Sequence, residues 1–175
     1  MGVPDGRVDA LDAYLALLER WNRRVDLTAA RDARARVEIL VRDAVRARDI
    51  VEGPSLLDVG SGNGSPGLVL ALLRPELRVT LLEPRLKRWA FLREACRTLG
   101  RPDVSVERQR YQDYGGSART VTLRALQAGL ESLGHLVAPG GLLLVFGTGR
   151  EPTPGLRAEP LPSGFRGQAF RHCST

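Results

Sequence analysis

Residues Ser55–Leu68, SLLDVGSGNGSPGL, determine how the rest of the chain is interpreted. Leu56, Leu57 and Val59 predict a short buried strand that leads directly into a glycine-rich turn. The apolar run that begins at Leu68 predicts a helix immediately after the turn. Glycine can adopt positive φ and lets a ligand approach the backbone, and the first turn of a helix has unpaired N–H groups. This strand, turn and helix therefore predict a binding site for a nucleotide-like ligand.

The spacing of the glycines and the acid before them narrow the class of ligand. Gly60, Gly62 and Gly64 alternate with other residues, and Ser65 stands where the dinucleotide-binding fingerprint requires its third glycine. A P-loop would need a Gly-Lys-Ser/Thr end, which the turn lacks. Asp58 would repel a pyrophosphate and favour an ammonium group, which S-adenosylmethionine carries. The alternative interpretation is an ordinary tight turn between a strand and a helix.

Composition bounds the class of protein. The 175 residues are 43% hydrophobic and 26% charged, which is typical of one soluble globular domain. Charged residues among the first twenty argue against a signal peptide, and the apolar run Leu142–Phe146 is too short to span a bilayer. Cys96 and Cys173 do not make a disulfide framework. We therefore expect a cytoplasmic protein with no membrane segment, and we expect no metal site.

The formal net charge of +6 is unevenly distributed along the chain. Between Arg85 and Arg110, eight basic residues stand against three acidic ones. A nucleic-acid-binding surface has such a local excess, although a solvated helix face would have the same composition. The basic residues that we expect to lie near RNA are Lys87, Arg88, Arg93 and Arg97.

Apolar residues at helical spacing predict two helices before the glycine turn. They cover Val8–Val25 and Ala33–Ile50, and Asp32 is the expected N-cap of the second. Two helices of this size have too few apolar residues to form a separate core. We therefore expect residues 1–53 to be a helical cap that packs on residues 54–175 in one compact unit.

From Ser55 onward, predicted strands and helices alternate, which is typical of a mainly parallel sheet in an α/β fold. The predicted strands cover residues 55–59, 78–82, 104–107, 120–123 and 142–146. The intervening helices are predicted from Leu68 to Leu73, over 86–99 and over 124–137. The weak alternation of residues 156–161 and 165–172 predicts a closing antiparallel pair.

Polar residues stand at the carboxyl ends of these strands, where open α/β sheets bind their ligands. Glu83 ends the second strand, and a carboxylate there can accept hydrogen bonds from both hydroxyls of a ribose. Gln112 or Asp113, after the third strand, could bind an adenine amino group. Arg124 follows the fourth strand at the same edge. The alternatives are a solvated strand-end acid, an ordinary polar loop and an arginine that pairs with a surface acid.

Seven motifs follow one another along the chain: Trp21-Asn22, Leu27-Thr28, the turn Asp58–Gly67, Arg74-Pro75, Leu81-Leu82-Glu83, Lys87-Arg88 with Phe91-Leu92, and Arg124-Ala125. In this order they resemble the bacterial ribosomal RNA small-subunit methyltransferase G family, also called glucose-inhibited division protein B. The resemblance extends from about residue 11 to 147.

This resemblance implies a Rossmann-like class I methyltransferase fold, S-adenosylmethionine as cofactor and S-adenosylhomocysteine as product. It also implies methylation of N7 of a guanine in 16S ribosomal RNA, so that ribosomal RNA or the small ribosomal subunit is the expected partner. By position, it assigns the cofactor's methionine end to Asp58, Gly60, Ser61, Gly62 and Gly64, its ribose to Glu83, its adenine to Gln112 and Asp113, and the methyl-transfer pocket to Arg124.

The chain departs from the family pattern at three places. Ile39-Leu40 stand where the family has Arg-His, Arg119 stands near a usual aspartate, and Phe146-Gly147 replace a Lys-Gly pair. Apolar side chains cannot bind phosphates, so activity could be weak or could depend on a partner protein. Two alternatives to an RNA methyltransferase follow from the residues: a cofactor-binding interaction module without catalysis, and a small-molecule methyltransferase.

Overall fold

The computed structural model describes residues 3, 6–126, 129–163 and 165–173. In this part of the chain the α-helices are α1 (Val8–Asn22), α2 (Ala33–Arg36), α3 (Asp43–Ala47), α4 (Gly67–Leu73) and α5 (Leu86–Thr98). A π-helical segment, Val37–Arg42, joins α2 to α3. The strands are β1 (Ser55–Val59), β2 (Arg78–Leu82), β3 (Ser105–Glu107), β4 (Ala118–Arg124), β5 (Val137–Phe146), β6 (Leu156–Glu159) and β7 (Gln168–His172).

The described strands form one seven-stranded sheet in the order β3-β2-β1-β4-β5-β7-β6. Strands β1 to β5 pair in parallel, whereas β7 pairs antiparallel with both β5 and β6. The order reverses beside β1, so the turns after β1 and β4 meet at the switch point where such sheets bind ligands. The predicted α/β class with a mainly parallel sheet is confirmed.

The two faces of the sheet are covered differently. Alternate residues of β5 point to opposite faces, so Leu144 packs in the core beside the helices and Leu143 packs in a second core. The first core contains the apolar sides of α1, α3, α4 and α5. Among the described residues, no α-helix lies over the second core, which is closed by Leu130, Leu133 and Leu136.

Both predicted N-terminal helices form, but the second consists of α2, the π-helical segment and α3, and it ends at Ala47 rather than at Ile50. Helix α1 buries Leu11, Tyr14 and Leu18, and it ends at Asn22 rather than at Val25. Asp32 caps the second helix by accepting a hydrogen bond of 2.8 Å from the Ala35 amide, as predicted. Both helices share one apolar core with the sheet.

The prediction of a helix over residues 124–137 is wrong for the residues that the structure describes. Residues 127 and 128 lie outside the described residues. Strand β4 continues through Arg124, and two short 3-10 segments follow at Leu130–Ser132 and Gly134–Leu136. The buried leucines recur every three residues, which is the period of a 3-10 helix rather than of an α-helix. Gly129 and Gly134 interrupt the stretch and weaken any longer helix.

The C-terminal pair is confirmed, with shorter strands than predicted: β6 and β7 are antiparallel, and β7 lies between β5 and β6. In the described ranges, no helix combines the length and the apolar character needed to cross a membrane. The same ranges contain no cluster of three His, Cys, Asp or Glu side chains suited to a metal ion. Cys96 and Cys173 are both free thiols.

Candidate functional site

A pocket of about 330 Å³ lies where β1, β2 and β4 end, and below it is called the switch-point pocket. Six of the residues singled out from the sequence line it: Gly60, Ser61, Gly62, Glu83, Arg88 and Arg124. Leu27, Asn63, Ser65, Pro84, Arg85, Ala125 and Leu126 complete the wall. A pocket of this size, formed by a glycine turn and a few converging polar groups, is suited to a small organic ligand.

The glycines of the turn are required by its backbone. Gly60, Gly62 and Gly64 have φ of +69°, +50° and +89°, the left-handed region that other residues rarely adopt. A Cβ atom on Gly64 would also lie 3.2 Å from the Leu68 side chain, so that residue faces α4 rather than the pocket. Gly60 and Gly62 present bare backbone to the pocket.

Glu83 ties the glycine turn to the end of β2. Its Oε2 accepts a hydrogen bond of 3.0 Å from the Gly62 amide, and its Oε1 accepts one of 2.8 Å from the Arg85 amide. The residue is 3% exposed, yet it lines the pocket. Each carboxylate oxygen has a second lone pair, so the group can still accept a bond from a ligand.

Asp58 lies beneath the turn and does not line the pocket. It is 1% exposed, and its Oδ1 accepts a hydrogen bond of 2.7 Å from the Thr122 hydroxyl of the neighbouring strand. Its Oδ2 has no hydrogen-bond partner among the described residues and lies beside Gly67 at the start of α4. A Cβ atom on Gly67 would come within 2.4 Å of the Asp58 Cβ, so this approach requires glycine.

Burial raises the pKa of Asp58 from its ordinary value of 3.8 to about 6. The hydroxyls of Thr122 and Ser61, the Gly67 backbone and the Arg124 guanidinium oppose this rise only in part. Asp58 is therefore a carboxyl that changes charge near neutral pH, directly behind the glycine turn.

Arg124 brings a half-buried cation to the opposite wall. Its Nη1 donates to the backbone carbonyl of Ile39 and lies 3.6 Å from the Asp43 carboxylate. Its Cζ lies 4.8 Å from the centroid of the Phe146 ring. Nε and Nη2 are buried and have no hydrogen-bond partner among the described residues. Burial lowers the pKa of Arg124, and the charges of Asp43 and Asp58 oppose this shift.

The segment that precedes β1 holds the glycine turn through three hydrogen bonds. The Tyr14 phenol donates to the Asn63 carbonyl over 2.9 Å. The Asn63 side-chain amide donates to the Leu27 carbonyl over 3.1 Å, and the Ser65 hydroxyl donates to the Leu40 carbonyl over 2.6 Å. The Leu40 carbonyl belongs to the π-helical segment Val37–Arg42, an irregular type of helix often found at functional sites.

Asn22 explains why the Trp21-Asn22 and Leu27-Thr28 motifs occur together. Its Oδ1 accepts hydrogen bonds of 2.8 Å and 3.0 Å from the amides of Leu27 and Thr28, and its side-chain amide donates to the Thr28 carbonyl. These bonds end α1 and fold residues 23–28 into the turn that places Leu27 in the wall of the pocket.

The three apolar residues that replace polar residues of the family pattern lie in different environments. Leu40 is 1% exposed and Phe146 is 7% exposed, so both side chains belong to the protein core rather than to an RNA-contacting surface. Phe146 packs edge-on against Phe165 and lies under the Arg124 guanidinium. Ile39 is exposed, and only its backbone carbonyl contacts Arg124.

The remaining residues singled out from the sequence lie outside the switch-point pocket. Gln112 and Asp113 are exposed in a 3-10 turn after β3 and are not part of the pocket wall. Lys87, Arg93 and Arg97 are exposed on α5. Arg88, on the same helix, is half-buried, and its Nη2 donates to the Asp26 carbonyl over 2.8 Å.

Sequence reasoning missed Tyr14 and Ser65 as residues of the site. Tyr14 carries the ordinary signal of an apolar helix position, and its phenol meets Asn63 only through tertiary packing. Ala125, which lines the pocket, has φ of +53°, an uncommon conformation for a residue with a Cβ atom. Its place in the Arg124-Ala125 motif was the available signal.

Known proteins share this architecture. A crystal structure of a methyltransferase from Geobacter sulfurreducens superposes with a TM-score of 0.66 and 17% identity, over 99% of each chain. An RNA methyltransferase from Salinibacter ruber, solved with S-adenosyl-L-homocysteine, superposes with a TM-score of 0.56 and 22% identity, over 75% of this chain and 88% of that one. At these identities the comparison establishes the Rossmann-like methyltransferase fold.

The sequence comparisons are closer. The chain is 41% identical, over 170 residues, to the ribosomal RNA small subunit methyltransferase G of Alkalilimnicola ehrlichii, and the alignment covers 94% of this chain and 76% of that protein. The family model GidB, described as rRNA small subunit methyltransferase G, matches residues 7–151. The chain therefore belongs to the rRNA small subunit methyltransferase G family.

Proposed function

We propose that this protein is an S-adenosylmethionine-dependent methyltransferase that methylates N7 of a guanine in 16S ribosomal RNA. The observation that carries the proposal is the joining of the glycine turn to the strand-end acid by the hydrogen bond from the Gly62 amide to Glu83. Membership of the family supports the RNA substrate. With a ribosomal substrate, the protein is expected in the cytoplasm of a bacterial cell.

The residues of the switch-point pocket fit this cofactor. The buried, unpartnered Nε and Nη2 of Arg124 are suited to a carboxylate, such as that of the methionine moiety. Glu83 retains acceptor capacity for the ribose hydroxyls. Gly60 and Gly62 allow a ligand to lie against the backbone. Ser61 lies between them in the same wall of the pocket. S-adenosylmethionine supplies, when bound, an electrophilic methyl group on a sulfonium sulfur.

Asp58 and Gly64 support the cofactor site from behind the turn. Asp58 bonds Thr122 and lies against Gly67, so it fixes where α4 begins. The Gly64 amide donates to the Ser61 carbonyl over 2.6 Å and closes the turn. In this proposal both residues position the backbone that the methionine end would meet. Gln112 and Asp113, beyond Glu83 at the next strand end, are proposed to meet the adenine.

Alkylation of guanine N7 needs few catalytic groups. N7 has an in-plane lone pair and loses no proton when it is alkylated, so the protein has to align the base and exclude water. Arg124 lies at the end of β4 with two free donors, and it could instead donate to the guanine O6 or to a neighbouring phosphate. We assign Arg124 to the methyl-transfer pocket in either case.

The basic residues of α5 would hold the RNA beside this pocket. Lys87, Arg93 and Arg97 are exposed, and Arg88 reaches the pocket wall while it bonds the Asp26 carbonyl. Binding through phosphates releases counterions, so affinity should fall steeply as salt rises.

Transfer of a labelled methyl group tests the proposal. Purified small ribosomal subunits and naked 16S RNA are incubated with the protein and labelled S-adenosylmethionine, and the digested RNA is analysed for 7-methylguanosine. Label in that nucleoside supports the proposal. Label in a different nucleoside would contradict the guanine assignment, and label only in small molecules would contradict an RNA substrate.

A further inference from the structure

A second, larger groove of about 960 Å³ lies between α5 and the edge strand β3. Trp21 and Trp89 both line it, so it is called the tryptophan groove here. These are the only two tryptophans in the sequence, and both are half-buried. Neither belongs to the wall of the switch-point pocket.

The two indole rings are held in place from one side. The Trp89 Nε1 donates to the Val106 carbonyl over 3.0 Å, and the Arg93 Cζ lies 5.2 Å from the ring centroid. Trp21 packs edge-on against the buried Phe91, with centroids 5.8 Å apart. Fixed aromatic rings at the wall of an open groove can stack with a planar ligand at little cost in side-chain entropy.

The charge of this groove and of its neighbour is strongly positive. Arg93, Arg97 and Arg108 line the tryptophan groove, against Glu94 and Glu107. An adjoining groove of about 590 Å³ shares Trp21 and Glu94 with it. That neighbour is called the arginine groove, and its basic residues are Arg20, Arg23, Arg24 and Lys87.

The arginine groove connects the tryptophan groove to the switch-point pocket. Val25, in its wall, is followed in the chain by Asp26 and Leu27, and Leu27 lines the pocket. The Asp26 carbonyl accepts the hydrogen bond from Arg88, which lines the pocket next to Lys87 of the arginine groove. The turn after α1 therefore lies between the arginine groove and the switch-point pocket and contributes residues to both.

We propose that the tryptophan groove binds single-stranded RNA, with nucleobases stacked on Trp21 or Trp89 and phosphates held along the arginine groove. Successive aromatic faces beside a basic channel are how proteins hold single strands without reading sequence. This inference rests on the proposed function for the identity of the polymer. It extends the substrate contact from the basic face of α5 to the far edge of the sheet.

The geometry of guanine N7 favours a single strand over a duplex. In A-form RNA, N7 lies in the deep, narrow major groove, which side chains cannot read. An enzyme that acts on a base in a helix must extrude it or use an unpaired segment. Nucleotides that flank an unpaired target have exposed base faces, which are the surfaces that a tryptophan can stack with.

Intrinsic fluorescence tests the groove directly, because both tryptophans line it. Full-length protein is titrated with an oligouridylate of about eight nucleotides, within the usual site size for single strands. An inorganic polyphosphate of matched charge, which has no bases, is the control. The oligouridylate should quench tryptophan fluorescence, whereas polyphosphate should bind without quenching. If the oligouridylate fails to bind, or binds without changing fluorescence, or polyphosphate quenches equally, the stacking proposal is overturned.

Matched variants separate base stacking from charge. Trp89→Phe and Trp89→Leu both remove the bond to Val106, but only the first retains an aromatic face. We expect Trp89→Leu to bind a dye-labelled oligouridylate about 5- to 150-fold more weakly than Trp89→Phe. Equal affinities would contradict stacking on Trp89, and thermal unfolding of both variants checks that they fold alike.

Charge is tested with two double variants that remove the same number of arginines. Arg93→Gln with Arg108→Gln should reduce the log–log salt slope of binding by about 1.4, because each phosphate contact on a single strand contributes about 0.7. Arg34→Gln with Arg157→Gln, outside all three cavities, should leave the slope unchanged. Equal slopes in the two double variants would contradict phosphate contacts in the groove.

The methylation assay distinguishes failure of this inference from failure of the proposed function. If methylation of small subunits proceeds while the groove neither quenches nor responds to its variants, only this inference is overturned. If the oligouridylate quenches fluorescence and no RNA is methylated, the RNA groove stands and the proposed activity is overturned.

Discussion

The phenol of Tyr14, a fully buried residue of the first helix, donates a hydrogen bond of 2.9 Å to the Asn63 carbonyl in the glycine turn. The two residues are 49 positions apart in the chain. Burial raises the pKa of Tyr14 well above its ordinary value, so the phenol stays protonated and remains a donor at physiological pH. Helix α1 is thus bonded directly to the backbone proposed to hold the cofactor.

Tyr14→Phe should weaken both stability and cofactor binding. The ring remains in the core, but the Asn63 carbonyl loses its donor, which costs about 1–3 kcal/mol of unfolding free energy. Urea unfolding and calorimetry with S-adenosylhomocysteine measure the two effects. Tyr111→Phe is the control, because its phenol contacts the Ser132 hydroxyl away from the pocket and its loss should change stability by less than about 0.5 kcal/mol. Equal effects of the two variants would contradict a special role for Tyr14.

The same urea curves test the expected domain organisation. It remains a prediction that residues 1–53 form a cap, that residues 54–175 form the cofactor-binding part, and that the two parts make one compact unit. If it holds, tryptophan fluorescence, circular dichroism and a probe attached to exposed Cys173 should report one coincident transition. Separate transitions would mean that the cap folds independently.

Gly67→Ala should destabilise the fold by about 1–3 kcal/mol, the usual cost of overpacking a core. The added methyl group would lie 2.4 Å from the Asp58 Cβ and 2.6 Å from its Oδ2, so α4 would have to move away from β1. Gly115→Ala provides a matched control, because a Cβ atom there meets nothing within 4 Å. Denaturant midpoints of the two variants compare the effects, and an unperturbed Gly67→Ala would show that the turn adapts freely.

Sequence periodicity predicted the elements that consist of continuous apolar runs. β1 and β2 have the bounds expected from their runs, because a central parallel strand is buried on both faces. The prediction for the stretch after Arg124 failed because leucines spaced by three or four residues suit both an α-helix and consecutive 3-10 turns. Glycines at 129 and 134 were the local signal for the shorter segments.

The candidate site was predictable where residues follow strands, and not where distant segments meet. Topology alone places Glu83 and Arg124 at the same edge as the glycine turn. Which atoms they bond depends on the segment before β1, since the Ile39 carbonyl that accepts from Arg124 comes from a π-helical segment without a sequence signature. The burial of Asp58 was not predictable either, because it results from packing. From the sequence, a carboxylate at a strand end is expected to face the ligand.

Asp58 should make stability depend on pH in the cofactor-free protein. Its folded pKa of about 6 exceeds the ordinary value of 3.8, so its stabilising contribution is complete below about pH 4 and is lost as pH rises through 6. The difference between a pKa of 3.8 and one of about 6 corresponds to about 3 kcal/mol. The difference in unfolding free energy between wild type and Asp58→Asn should therefore change by up to this amount between pH 4 and 7, in favour of the variant. Parallel pH curves for the two proteins would contradict the raised pKa.

Glu83→Gln should reduce cofactor affinity about 10- to 100-fold, because a hydrogen bond to a charged acceptor contributes about 1.5–3 kcal/mol. The substitution also disturbs the bonds from the Gly62 and Arg85 amides, so the loss alone does not identify a ribose contact. Calorimetry with S-adenosylhomocysteine and its 2′,3′-dideoxy analogue separates the two contributions. The penalty should shrink to a few-fold for the dideoxy analogue. An equal penalty for both ligands would mean that Glu83 acts only by shaping the turn.

The most direct test of the account is the fate of the methyl group in the wild-type protein and in Arg124→Leu. The account predicts that wild type transfers label from S-adenosylmethionine to small-subunit RNA, recovered as 7-methylguanosine. It also predicts that Arg124→Leu, which removes the half-buried guanidinium, transfers the methyl group at least about tenfold more slowly at saturating cofactor. Wild-type protein that binds the cofactor by calorimetry but leaves small-subunit RNA unlabelled would contradict the account.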